Sequence, residues 1–179
     1  MAELSLTGQG KEFIEYAKSS LDDSPNSLFM AKGFEAIGNL IDLNFLKCIK
    51  SLDELEVATR DKEIKVWVDQ ISNLCRAYVN FHNGDYQLSL KHAEVAISSP
   101  IKSGTLDPMD KGRLIRLVAS IALVTSDIKQ LDKCAQEILK VDNPDNLSVL
   151  DHAQSAIKSM QLLVHGEYNQ AYELAKSTI

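Results

Sequence analysis

Glycine and proline are scarce in this chain, at eight and four residues of 179. Alternating runs of β-branched residues are scarce too. Together these shortages argue against a sheet and for an all-helical fold. No apolar run is long enough to span a bilayer, and the opening MAELSLTGQGKEF has no signal-type apolar core. The most apolar stretch, LIRLVASIALV from Leu114 to Val124, is short and begins beside charge, so it reads as a buried helix. Positive charge is in deficit, with a formal net charge of -6. That balance lacks the phosphate attraction of nucleic-acid binders and the polybasic surface of membrane-attached segments, so neither partner is expected. Cysteine is limited to Cys48, Cys75 and Cys134, far apart and without a CxxC pair. This fits a reducing, cytoplasmic setting and three small buried apolar residues. What remains is 45% hydrophobic and 25% charged, the composition of a globular, soluble domain with a sizeable core.

Motifs that carry chemistry are missing as well. There is no GxSxG elbow, no SxxK and no GxxxxGK[ST] loop. His82, His92, His152 and His165 are not paired at i, i+4, and no cysteine lies at ligand spacing, so no metal and no cofactor are expected. Asp53, Glu54 and Glu56 cluster, as do Asp22 and Asp23, but nothing opposes them as an acid–base partner. Both clusters read as solvated faces, and no catalytic residues are assigned. Arg113 and Arg116, three apart on one helical face, fit a carboxylate or phosphate if that face lines the inner wall; otherwise they lie on the outer face or pair with Asp107 and Asp110. Trp67, Ile71, Leu74, Tyr78 and Phe81 form a stripe at helical spacing that reads as core first and ligand wall second. Met160 carries the same two readings. The candidate ligand or partner residues are therefore Arg113, Arg116, Tyr78, His82 and Met160.

The chain repeats itself. FHNGDYQLSLKHAEVAI begins at Phe81 and LVHGEYNQAYELAKSTI at Leu163. Aligned on Gly84 and Gly166, Tyr86 meets Tyr168, Ala93 meets Ala175 and Ile97 meets Ile179. A third copy, SDIKQLDKCAQEIL, places Ser126, Asp127 and Ile128 at the Gly, acid and Tyr positions, with Ala135 and Leu139 following. A fainter fourth, LNFLKCIKSLDEL, starts at Leu43, with Asn44 and Phe45 at the acid and Tyr positions. The anchors Leu43, Gly84, Ser126 and Gly166 are spaced by 41, 42 and 40 residues. A period near 40 in a helical chain marks a solenoid of helix pairs. Gly84 and Gly166 end a first helix, because glycine accepts positive φ. Asp85 and Glu167 open a second, meeting its unpaired N–H groups. Tyr86 and Tyr168 are expected to pack back on the helix just finished. Ala93, Ala96, Ala171 and Ala175 keep one face small, so that helix axes approach closely.

The spacing predicts a first helix from about Gly10 to Leu21. Four pairs follow, at about 27–59, 62–98, 108–141 and 146–179, within one domain. DDSPNS, SPIKSGTLDP and VDNPDN read as the breaks between them. Asp107 before Pro108 and Asn143 before Pro144 read as helix starts.

These strings resemble tetratricopeptide-type repeats. Phe81, Gly84, Asp85, Tyr86, Ala93, Ala96 and Ile97 carry the likeness best, followed by Leu163, Gly166, Glu167, Tyr168, Ala171, Ala175 and Ile179. The longer period is similar to the sensor region of LuxR-type, MalT-like bacterial regulators. The chain has neither the phosphate loop nor the basic helix-turn-helix segment of such regulators. The resemblance implies an all-α, right-handed superhelical solenoid of four helix pairs plus the N-terminal helix. It implies a non-catalytic module that binds a protein, a peptide or a small effector in a groove. The module would be the sensor part of a transcriptional regulator or, alternatively, a stand-alone adaptor. The last repeat stops at Ile179 without a polar cap, so part of a longer protein and self-association through an apolar end are both expected.

Overall fold

A computed structural model describes residues 9–19, 25–59, 62–98, 108–141 and 148–177. Among these residues there is no strand. The helices are α1 (Gln9–Ser19), α2 (Pro25–Ile41), α3 (Phe45–Ala58), α4 (Lys62–His82) and α5 (Tyr86–Ser98). They continue with α6 (Pro108–Val124), α7 (Ile128–Ile138), α8 (Ser148–Val164) and α9 (Tyr168–Ser177). Contacts group the chain into two compact units, Met1–Ser99 and Pro100–Ile179. In the first, α1 packs on α2, α2 on α3 and α4, α3 on α4, and α4 on α5. In the second, α6 packs on α7 and α8, α7 on α8, and α8 on α9. Helices adjacent in sequence therefore pair in space within each unit.

One turn is built four times. Leu43, Gly84, Ser126 and Gly166 all adopt positive φ, at 58°, 80°, 58° and 81°. Each sends its N–H to the carbonyl three residues back, and the next residue sends its own five back. Gly84 N donates to Phe81 O at 3.1 Å and Asp85 N to Asn80 O at 2.9 Å. Leu43 and Asn44, Ser126 and Asp127, and Gly166 and Glu167 make the same two bonds. This is the Schellman ending, which satisfies carbonyls that the finished helix leaves unpaired. The residue after the left-handed one then starts the second helix. The carbonyls of Asn44, Asp85, Asp127 and Glu167 accept from the N–H groups of Cys48, Ser89, Leu131 and Ala171. All four donor residues are buried. Asp85 and Asp127 also cap with their side chains, taking Leu88 N at 3.2 Å and Gln130 N at 3.0 Å. Asn44 makes no such side-chain bond. The four alignment anchors are thus the four left-handed residues.

Beyond the turns, packing takes over. In the first unit Ala36, Cys48, Leu52, Cys75 and Val79 form a buried cluster, against which Phe45, Ile71 and Leu74 pack. Trp67 of the predicted stripe lies against Gly33, whose lack of a Cβ makes room for the ring. Ser89 is fully buried between α5 and α4 and donates from Oγ to Ala77 O at 2.7 Å. A small residue thus lies close to the neighbouring helix with its hydroxyl satisfied. In the second unit Leu114, Ile121, Leu131, Ile138, Leu150 and Ile157 are buried. Each contributes about 1.5–3 kcal/mol of apolar transfer free energy.

The repeat is regular at its turns and less so along the second helices. Tyr86 packs back as expected, with its ring 5.9 Å from that of Phe81. Tyr168 does not; it is 66% exposed. Ala175 is exposed too, because among the described helices α9 rests on α8 alone and buries the face that carries Ala171. In α7 the buried positions are Leu131, Cys134 and Ile138, so Cys134 rather than Ala135 faces the core. Pro25 opens α2, two residues earlier than the pattern predicts. The expected breaks SPIKSGTLDP and VDNPDN, the pairs Asp22–Asp23 and Asn143–Pro144, Asp107 and Ile179 fall wholly or largely outside the described residues.

Candidate functional site

Two places in the fold correspond to each other through the repeat. In the first unit α3 and α5 both lie on α4, and among the described residues no contact joins α3 to α5. In the second α7 and α9 both lie on α8, again with no contact between the outer two among the described residues. In the second unit the trio leaves a groove over its central helix. Aligned on the left-handed turns, α7 follows α3 by 83 residues, and α8 and α9 follow α4 and α5 by 82.

In the first unit charge joins α3 to α4. Arg76 on α4 holds Asp53 Oδ1 at 2.7 Å and Glu56 Oε1 at 3.3 Å, both on α3. His92 of α5 meets Asn73 of α4, Nδ1 to Oδ1, at 2.8 Å. The Asn73 amide donates to Asp69 O at 2.6 Å, so its oxygen is the acceptor and the imidazole carries its proton on Nδ1. Burial holds the His92 pKa below its ordinary value, and the charges of Arg76 and Lys91 act the same way. Asp53 and Glu56 thus serve as partners of Arg76, and Glu54 pairs with Lys32 at 2.7 Å. The acidic run of α3 is an interhelical brace rather than only a solvated face.

In the second unit α7, α8 and α9 line an open groove of about 430 Å³. Its apolar lining is Ala135, Ile138, Leu139, Ile157 and Leu174. Its polar lining is Gln136, Gln154, Ser155, Lys158 and Gln161. Position by position, Gln136 replaces Asp53, Leu139 replaces Glu56, Lys158 replaces Arg76 and Leu174 replaces His92. The cation stays and both carboxylates are gone. Lys158 Nζ donates to Gln161 Oε1 at 3.1 Å and, among the described residues, makes no ion pair. Gln161 is itself held, donating from Nε2 to Asp132 Oδ1 at 2.6 Å. Leu139, on the rim, is 72% exposed. A volume of this size lies in the range of about 300–1,000 Å³ typical of ligand sites.

The sequence-derived candidates lie elsewhere. Tyr78 and His82 are on α4; His82 stacks on Phe45 with ring centroids 5.2 Å apart. Arg113 and Arg116 are exposed on α6, and Arg113 pairs with Asp110 at 3.2 Å, as its second reading anticipated. Met160 is half-buried on α8, at the repeat position of Tyr78. None of the five lines the groove. The residues that do were missed because a lone lysine among glutamines and leucines carries no motif. Only comparison with Asp53, Glu56 and Arg76 marks them out. The three cysteines are free and buried. The Cys75 thiol, hydrogen-bonded to Cys48, holds the Cys48 pKa below its ordinary value, while burial pushes Cys134 up to about 11. Among the described residues no group of three or more His, Cys, Asp or Glu is placed to hold a metal ion, and no helix is long and apolar enough to cross a membrane. Compared with models of known protein families, with curated proteins and with solved structures, the chain matches none of them.

Proposed function

We propose that the chain is a non-catalytic binding module, a right-handed superhelical array of four tetratricopeptide-like helix pairs preceded by one helix. The observation that carries this reading is the left-handed turn repeated at Leu43, Gly84, Ser126 and Gly166, at spacings of 41, 42 and 40 residues. Helix pairs repeated in this way offer an extended surface, and such surfaces take proteins and peptides. The groove over α8 supports the same reading.

In its narrower form the module is the sensor region of a LuxR-type, MalT-like regulator. A protein, peptide or small effector on its surface would then shift the packing of repeats and, through it, an attached domain. That requires unequal affinity for two arrangements. A free-standing adaptor uses the same surface without an attached domain. The test is selection of random displayed peptides on the immobilised chain. Enriched peptides that bind saturably in solution are the expected result, and a selection that enriches nothing overturns the reading. A reading frame continuing past Ile179 into a helix-turn-helix segment supports the regulator form, and a stop there the adaptor.

A further inference from the structure

We infer that the groove between α7 and α9 is a docking site for an acidic, leucine-bearing segment of a partner protein, with Lys158 taking its carboxylate. The inference rests on the reading of the chain as a peptide-binding module and names the place and the chemistry of recognition. The protein itself shows what the cation at this position accepts. Arg76, its counterpart in the first unit, is satisfied by two carboxylates from the preceding helix, at 2.7 and 3.3 Å. Lys158 keeps the position and the charge but faces Gln136 and Leu139 instead. Its one polar partner among the described residues is the Gln161 amide, a weaker acceptor than a carboxylate. A carboxylate brought by a partner restores the missing half of the pair.

The rest of the lining defines the remainder of the segment. Leu139 and Leu174 stand on opposite walls, where the first unit has Glu56 and His92. Ile138 and Ile157 form an apolar floor beneath them. That surface matches a branched aliphatic side chain, whose burial supplies affinity, while the paired charge supplies selectivity. The amides of Gln136 and Gln154 on the rim present both donors and acceptors, which suits the main chain of a peptide. An acidic residue close in sequence to a leucine meets all three demands. A basic segment is disfavoured, because Lys158 repels it.

The test uses the full ¹⁵N-labelled chain and short end-blocked peptides carrying one Leu and one Glu, two to four residues apart. Matched sets carry Gln or Lys in place of Glu. Saturable shifts are expected at the amides of Gln136, Leu139, Lys158 and Leu174, with the Glu set at least about tenfold tighter than the Gln set. Lys158→Glu should reverse the preference toward the Lys set. The double variant Gln136→Asp, Leu139→Glu installs the first unit's carboxylates; it should melt like the parent and lose the Glu peptides. The inference is overturned if no Leu/Glu peptide shifts these amides up to about 1 mM. Equal binding of the Glu and Gln sets overturns it as well. Selected peptides that bind but shift residues elsewhere leave the binding-module reading standing and remove this groove from it. Shifts at these amides that follow protein concentration alone, without peptide, assign the groove to a second copy of the chain and also overturn it.

Discussion

The Arg76 guanidinium on α4 stands 2.7 Å from Asp53 Oδ1 on α3, across 23 residues of sequence. Arg76 is 23% exposed and Asp53 60%, so the pair is screened from one side only. Glu56 adds a second carboxylate from the same helix at 3.3 Å. A double-mutant cycle with Arg76→Ala and Asp53→Ala should return a coupling of about 0.5–1 kcal/mol, the upper part of the range for partly exposed pairs. Denaturant melts of the four proteins measure it. A coupling of zero would mean that the brace is only a geometric neighbour.

His92 sets a pH dependence. Its folded pKa lies below the ordinary value of 6.5, because burial and the neighbouring cations disfavour the imidazolium. The unfolded chain therefore binds the proton first as pH falls. The contribution of His92 is complete above about pH 6.5 and is lost as the solution is acidified through and below that value. Parent protein should lose stability between about pH 7.5 and 5.5, and His92→Gln should flatten that slope, since the amide keeps a donor toward Asn73. Urea midpoints at both pH values decide it. An equal slope in the variant would place the proton elsewhere.

Ser126 and Leu43 hold the left-handed conformation that Gly84 and Gly166 hold at the matching positions. A side chain there costs about 1–2 kcal/mol of backbone strain, and replacing it with glycine returns part of that as unfolded-state entropy. Ser126→Gly should therefore stabilise the chain by about 0.5–1 kcal/mol, read as a rise of a few degrees in Tm. Leu43→Gly should move the same way, since its side chain is largely exposed.

The converse holds at Gly84. No atom would lie within 4 Å of a Cβ built there, so any cost of substitution comes from φ alone. Gly84→Val should destabilise by about 2–3 kcal/mol, because a β-branched residue at positive φ is strained. Gly84→Asn should cost well under half of that, since asparagine tolerates the region. A Tm unchanged in the valine variant would mean that the turn reorganises.

Ser72 Oγ is buried on α4, and no described atom bonds to it. Its hydroxyl bears desolvation without compensation, and serine is the poorer helix former. Ser72→Ala should raise stability by about 1 kcal/mol, checked by chemical denaturation. A loss instead would point to a bond formed in solution.

The sequence by itself determined the helices and the four turns between them. These rest on local chemistry: apolar spacing along each helix, a residue that takes positive φ, and an acid or amide next to it. Their hydrogen bonds reach back only three and five residues. Tertiary structure alone decided which faces meet. Asp53 and Glu56 read as a solvated run until Arg76, more than a helix away, is placed beside them. Tyr86 and Tyr168 occupy one motif position, yet only Tyr86 packs against a ring at the end of the finished helix. The groove over α8 lies where α7 and α9 do not meet, and Gln136 and Leu139 line it where the first unit has carboxylates. Periodicity sets which residues share a helical face. It leaves open how each helix is rotated against its neighbours, and that rotation brings charges together or leaves a channel between them.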